Sequence, residues 1–414
     1  MEAYRVWAEI DLDALARNLE RVRQRAGPGV AVMLVVKADA YGHGAVAVAH
    51  SALRAGVEAL GVGTSAEALE LRKAGIRAPI LVLGTVLDEE APACLRHGVQ
   101  IALHSSDRRR MLQQLARRLG LVARVHLKID TGLGRLGASP TRALALLEEI
   151  ERSDHLELAG IMTHLASPLG ALDPATRLQI KRFQGVLESA RQRRLVRGWI
   201  HAASTASVFT DLRPLYDAVR VGLGAYGALP TALPGASDLE PVMSFASQVV
   251  FLKDVAPGTP IGYGGTWRAA RPTRIATLSV GYADGVAWRL GNQGHVLIRG
   301  QRAPIVGMVS MDYTTIDVGD VPGVCVGDRV TFFGRDGAQR IAVEEVARRA
   351  GTIPYELTCA VGRRVERIYV GSETPVRGSP SDVLTPVPPP GREVERVRRA
   401  LSALAAAAPR SGGP

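Results

Sequence analysis

From about residue 30 to residue 225, short apolar runs alternate with longer segments that are apolar on one face only. The run Val30-Ala31-Val32-Met33-Leu34-Val35-Val36 has no apolar/polar alternation, which suits a strand buried on both faces of its sheet. Runs of this kind predict strands over residues 32–36, 59–63, 80–83, 100–103, 124–129, 158–162, 199–202 and 218–221. Between them lie helix-length segments with start signals, such as Thr64-Ser65 ahead of Ala66–Leu71 and Ser105-Ser106-Asp107 ahead of Met111–Leu115. Eight such units in about 200 residues predict a closed parallel β/α barrel over residues 1–240, with its chemistry on the loops after the strands. A doubly wound open sheet competes, but no G-x-G-x-x-G turn follows the first strand.

After Pro241 the pattern changes to brief strand-like runs punctuated by Gly, Pro and Asp: Val296–Ile298, Ala303–Val306, Thr314–Val318 and Arg329–Phe333. These predict a mainly β domain over residues 241–371, with one helix around Val343–Ala347. The fold class is therefore α/β, an eight-stranded parallel barrel followed by a mainly β C-terminal domain. Beyond Gly371, Pro375, Pro380, Pro386 and Pro388-Pro389-Pro390 mark a Pro/Ala-rich tail, residues 372–414, expected to be disordered. A short helix over Glu393–Ala407 fits within it.

Composition narrows the setting. The chain has 414 residues, 47% hydrophobic and 22% charged, and only Cys94, Cys325 and Cys359, far apart and without a C-x-x-C pair. That argues against a zinc site and against a disulfide framework and fits a reducing cytoplasm. Charges interrupt the amino terminus, and no uncharged apolar run is long enough to span a membrane. The net charge of +11 raises nucleic acid as a partner. However, Arg108-Arg109-Arg110, Arg117-Arg118 and Arg191-Gln192-Arg193-Arg194 fall on helical faces without aromatic interleaving, and the tail has six arginines against four acids. Neither nucleic acid nor membrane is expected.

Candidate chemistry sits at the strand ends. The 32–36 strand runs into Lys37 and then Ala38-Asp39-Ala40-Tyr41-Gly42-His43-Gly44. An amine emerging from an apolar barrel strand can be neutral enough to attack a carbonyl and form a Schiff base. Lys128-Ile129-Asp130-Thr131-Gly132-Leu133-Gly134-Arg135-Leu136-Gly137 follows the fifth strand, and the Arg135 guanidinium offers a fork for a planar carboxylate. His164 and His201 end the sixth and seventh strands, and Arg220-Val221-Gly222-Leu223-Gly224-Ala225-Tyr226-Gly227 closes the eighth. In the β domain, Ile261-Gly262-Tyr263-Gly264-Gly265-Thr266-Trp267 surrounds a phenol with glycines that permit tight turning.

These segments, with Gly281-Tyr282-Ala283-Asp284-Gly285 and Ser310-Met311-Asp312, resemble the motifs of the alanine racemases over residues 5–370. The resemblance implies a cytoplasmic pyridoxal 5'-phosphate enzyme of fold type III that interconverts L- and D-alanine for peptidoglycan, without a metal. Racemisation removes the α-proton on one face and returns it on the other, so two bases are needed, and the cofactor drains the charge that develops. By resemblance, Lys37 holds the cofactor and serves as one base. Tyr263, supplied by the partner subunit of a homodimer with shared active sites, serves as the other. A tyrosine pKa of about 10 calls for a neighbouring cation, and Arg135 is placed to serve as one.

The resemblance also assigns Arg135 to the substrate carboxylate, together with a backbone amide at Met311, and makes Lys128 the position that some members carbamylate to hold that arginine. Arg220 partners the pyridine nitrogen, oriented by His201, while His164 packs on the ring. Tyr41, Ser204, Thr205, Gly222 and Leu223 hold the phosphate, and Tyr282 stands at the entrance. Three positions depart from the family pattern: Ser204-Thr205 where Asn-Ser is usual, Met308 where arginine is common, and Arg363 where some members have a phosphate-facing tyrosine. A racemase of broader amino-acid range would keep all these residues. Ornithine-type barrel decarboxylases use a late cysteine and lack the Tyr263 loop, and the small cofactor-carrying barrel proteins lack a β domain.

Overall fold

The computed structural model describes residues 4–167, 173–229, 233–234 and 238–371. The proposed tail, residues 372–414, lies outside them. The chain opens with strand β1 (Val6–Asp11), and Asp11 then caps the helix Leu12–Ala26 by accepting from Ala14 N at 2.8 Å. The eight expected strands follow as β2 (Ala31–Val35), β3 (Ala59–Val62), β4 (Ile80–Val82), β5 (Gln100–Leu103), β6 (Ala123–Lys128), β7 (Leu156–Met162), β8 (Trp199–His201) and β9 (Ala218–Val221).

They form one parallel sheet in the order β8-β7-β6-β5-β4-β3-β2-β9. The ring closes between β8 and β9 by separate bonds instead of a ladder: Arg220 N to Ala203 O and Asp217 N to Ile200 O, both 2.9 Å, and Ile200 N to the Asp217 carboxylate at 2.8 Å. Met33, Ala59, Leu81, Ala102 and Met162 fill the interior as a cluster separate from the larger core between sheet and helices.

The β domain contains β10 (Met243–Val255), β11 (Pro260–Ile261), β12 (Trp267–Arg268), β13 (Thr273–Leu278), β14 (His295–Ile298), β15 (Gln301–Pro304), β16 (Thr314–Asp317), β17 (Arg329–Asp336), β18 (Gln339–Ile341) and β19 (Glu366–Val370). Its main sheet runs β15-β14-β17-β10-β1-β19, with β13 joining β10 to β16. Residues 6–11, which the sequence pattern grouped with the barrel, thus form a strand of the second sheet, antiparallel to β10 and parallel to β19. The reason is local: Val6, Ala8 and Ile10 are buried while Trp7, Glu9 and Asp11 are half-buried, the alternation of a strand with one covered face. The helix Val343–Ala350 lies where expected, and a second, Pro354–Ala360, packs back against the barrel mouth through contacts with Gly42.

Candidate active site

Lys37 stands at the carboxyl end of β2, where the chain enters a turn of unusual hand. Ala38, Asp39, Ala40 and Tyr41 all have φ between 52° and 56°. A left-handed turn of L-residues costs roughly 1–2 kcal/mol per residue, so the surroundings must offset several kcal/mol. They do so with hydrogen bonds at both ends. The Glu67 carboxylate accepts from Ala38 N at 2.7 Å and from Gly63 N at 2.7 Å, and Asp39 accepts from Ala45 N at 2.7 Å. Glu67 is the third residue of a helix capped by Thr64, so one side chain closes a capping box and also anchors the residue after Lys37. Burial and the Arg135 charge hold the Lys37 ammonium below its ordinary pKa, with Glu67 and Cys359 opposing.

At the other end of this turn the Tyr41 ring packs between Tyr226, at 5.0 Å, and Tyr355, at 5.7 Å. Its hydroxyl reaches the backbone of Gly222, where a side-chain Cβ would stand only 2.6 Å away. Thr205 Oγ1 accepts from Gly222 N at 3.2 Å, and Ser204 caps the same short helix, its N–H bonded to Ser207 Oγ at 3.1 Å. The N–H groups of Leu223 and Gly224 have no bonded partner among the described residues. Two hydroxyls and open backbone amides converging on a Cβ-free glycine make a cradle for an anion such as phosphate. Arg363, where the resemblance puts a phosphate-facing tyrosine in some members, is exposed, and the tyrosines beside Tyr41 are Tyr226 and Tyr355.

Arg220, on β9, is buried inside the barrel. Its Nη1 lies 2.9 Å from both His201 Nδ1 and His201 O, and its Nη2 lies 2.8 Å from Thr163 O, 3.1 Å from Ala202 O and 3.2 Å from His164 Nδ1. Both Nη groups are thereby occupied. The Nε–H has no partner among the described residues, which leaves one donor for an acceptor in the mouth. Burial lowers the Arg220 pKa to about 10, still charged at neutral pH, while burial and the Arg220 charge hold His164 down at about 3.

Arg135 rides on a loop after β6 whose shape is set by Asp130, which accepts from Gly132 N and Leu133 N at 3.0 Å and Gly134 N at 3.1 Å. Gly137 closes the loop where any Cβ would stand 2.4 Å from Asp130 N. Lys128 points its Nζ at Leu83 O, 2.9 Å away, and burial with the charges of Arg135, Arg220 and Lys37 lowers its pKa to about 8. About a tenth of its amine is then neutral at pH 7, far more than for an ordinary lysine.

Lys37, Tyr41, Arg135, His164, His201, Ser204, Thr205, Arg220, Gly222 and Leu223 therefore gather at one end of the barrel. Tyr263, Tyr282 and Met311 do not join them within one chain. They lie together on a face of the β domain, 77%, 45% and 54% exposed. Backbone bonds weld this face: Tyr282 N to Ser310 O at 3.0 Å, Ala283 N to Met311 O at 3.2 Å, and Asn292 linking Gly307 N (2.7 Å) to Thr266 Oγ1 (3.0 Å) beside the Tyr263 turn. Arg364 pairs with both Asp284 and Asp312, each at 2.6 Å, and ties the Tyr282 and Met311 loops together.

Comparison with known proteins decides the family. The sequence model described as alanine racemase, N-terminal domain, matches residues 10–230, and that of the C-terminal domain matches residues 242–369. The chain belongs to the alanine racemase family. An alanine racemase of Symbiobacterium thermophilum is 43% identical over 371 residues, 89% of this chain and 97% of that protein. The solved alanine racemase of Streptomyces lavendulae, a D-cycloserine producer, has a TM-score of 0.84 at 32% identity over 90% of this chain and 98% of its own. That of Bacillus anthracis, with bound L-Ala-P, has a TM-score of 0.80 at 33% identity over 90% and 97%.

The chain is accordingly an isomerase with the alanine racemase fold. Sequence reading missed three parts of this family site. Glu67 carries a signal in retrospect, an acid three residues after Thr64. His126 and Gln100 are polar side chains inside strands β6 and β5. Tyr355 lies in a seven-residue helix, Pro354–Ala360, too short to write a clear apolar period.

Proposed function

We propose that this enzyme interconverts L- and D-alanine with pyridoxal 5'-phosphate held at the barrel mouth, using Lys37 and Tyr263 as opposed bases in active sites shared across a homodimer. The observation that carries the reading is the left-handed turn, which has an amine of lowered pKa at one end and the Tyr41 hydroxyl of an anion cradle at the other. The residues present fit the cofactor: Lys37 for its aldehyde, Tyr41, Thr205, Ser204, Gly222 and Leu223 for its phosphate, and the remaining Arg220 N–H for its ring nitrogen. When bound, the cofactor supplies a ring that drains charge from the substrate α-carbon and makes the α-proton removable.

The chain's own residues do the rest. Lys37 Nζ, freed by the incoming amino acid, takes or returns the proton on one face, and Tyr263 of the neighbouring protomer serves the other. Arg135 meets the substrate carboxylate with its fork and, by its charge, favours the phenolate of Tyr263. A neutral Lys128 amine is the form that takes up carbon dioxide, and its carbamate would hold Arg135. Arg220 would hold the ring nitrogen by its remaining N–H and, being a guanidinium, would keep that nitrogen unprotonated, which would favour reprotonation at the α-carbon over loss of the amino group. His164 backs the ring, Met311 offers a backbone amide to the carboxylate and Tyr282 lines the entrance. The L-Ala-P bound by the Bacillus anthracis relative supports a small amino acid as substrate. Three free cysteines fit a reducing cytoplasm, where D-alanine would feed peptidoglycan.

The test is covalent. Borohydride reduction of the purified enzyme, followed by peptide mapping, should mark Lys37, and Lys37→Ala should lose visible cofactor absorption and racemisation together. Absorption that survives the substitution means that another amine holds the cofactor.

A further inference from the structure

Building on that reading, we propose that His126 and Gln100 are positioning residues that lock His201 into the one tautomer able to accept from Arg220, and so hold Arg220 as a fixed donor for the cofactor's ring nitrogen. The argument rests on counting donors. A guanidinium only donates, so His201 Nδ1, 2.9 Å from Arg220 Nη1, must be a bare acceptor. The His201 proton is then on Nε2, which lies 2.9 Å from His126 Nδ1. His126 Nδ1 must be bare in turn, so its proton sits on Nε2 and points at Gln100 Oε1, 2.8 Å away.

Each atom in this column has one possible role. Reversing any ring, or charging it, sets two N–H groups against each other. His126 and His201 are 1% and 0% exposed and Gln100 is 7% exposed, so no bulk water can step in to repair a mismatch. Burial, with the nearby arginines adding to it, pushes both imidazoles away from the charged form.

The backbone is shaped around this column. The β6–β7 pairing shifts register between Val125 and His126, which brings His126 opposite Gly160. A Cβ at Gly160 would stand 2.4 Å from His126 Nδ1, so the strand leaves room for the ring by omitting a side chain. If Gln100 is made apolar, the buried His126 Nε2–H loses its acceptor, and the ring can recover one only by turning or by moving its proton, either of which sets an N–H against His201 Nε2–H and passes the conflict up to the Nη1 of Arg220.

Two measurements test this. In protein labelled with 15N-histidine and freed of cofactor, His126 and His201 should both be neutral and protonated on Nε2 throughout the neutral pH range. Either ring found as the Nδ1–H tautomer or as imidazolium overturns the proposal, whatever the enzyme's activity.

In the loaded enzyme, Gln100→Leu should raise pyruvate release per racemisation event roughly tenfold or more, because a displaced Arg220 no longer keeps the ring nitrogen unprotonated. KM for alanine should stay unchanged. A folded Gln100→Leu enzyme with the parent ratio also overturns the proposal. Should that variant not fold, the tautomers of the parent protein decide. A parent with no bound cofactor would instead refute the functional reading and leave the tautomer result standing.

Discussion

Tyr263, the proposed second base, stands 77% exposed on its own chain, so in that role it would act only against another surface. Because alanine's two enantiomers are equal in energy, replacing Tyr263 with Phe must slow racemisation equally in both directions. The asymmetry should appear in α-proton exchange with deuterated solvent. D-alanine should still exchange through Lys37, while exchange of L-alanine falls by about 10²–10⁴-fold, the usual worth of a positioned base. Equal exchange from both enantiomers would refute the two-base site.

Glu240 makes a different single-residue case. It accepts from Arg17 at 3.0 and 2.8 Å and from Arg21 at 2.9 Å, which holds its pKa at about 2 against 4.5 for an ordinary glutamate. With the folded pKa depressed, its stabilisation is complete above about pH 4.5 and is lost as the pH falls towards 2. Glu240→Gln should cost about 1–2 kcal/mol at neutral pH, after allowing for solvent screening. Urea titrations at falling pH should find that cost shrinking; a constant cost would mean the charge contributes nothing. Glu240 gives no sign of this role in the sequence, because its partners lie more than 200 residues away.

At the scale of elements, the left-handed turn is the point of greatest strain, and its two supports predict opposite mutational effects. Ala38 is exposed, with φ at 52°. Ala38→Gly should relieve about 1–2 kcal/mol of steric cost and return about 0.5–1 kcal/mol through chain entropy, leaving thermal stability equal or slightly higher. Glu67→Ala removes the acceptor for Gly63 N, Thr64 N and Ala38 N and should cost about 2–3 kcal/mol. A melting temperature that drops in Ala38→Gly would show that the turn is not strained.

Strands such as β2, β3 and β4 were legible because double-sided burial writes an unbroken apolar run, and the others because their apolar residues recur at β/α spacing. The turn was not legible, since Ala38 and Ala40 carry no preference for its hand, which is imposed by hydrogen bonds to Glu67 and Asp39 and by the packing of Tyr41 and Gly42. The His126 column was hidden for a related reason: its meaning arises across strands, from register, and not along any one of them. Lys37, Arg135 and Arg220 were legible from the family motifs in which they lie.

For the whole molecule, the proposed exchange of residues between protomers has an arithmetic signature. Lys37→Ala and Tyr263→Phe subunits are each inactive alone. If every site combines a lysine from one chain with a tyrosine from the other, random mixing should restore about a quarter of the sites. No recovery on mixing, with heterodimers confirmed by sedimentation or native mass, would mean that each chain builds its site alone.

The position of β1 has a consequence for how this chain is made. The strand spanning residues 6–11 lies between β10 and β19, partners whose last residue is Val370. It leaves the ribosome first yet finds its second neighbour only after some 360 further residues have been added, roughly 20–70 s of synthesis. Through that interval the edge it will share with β19 stays without its ladder, so the second sheet can be completed only when the last strand has emerged.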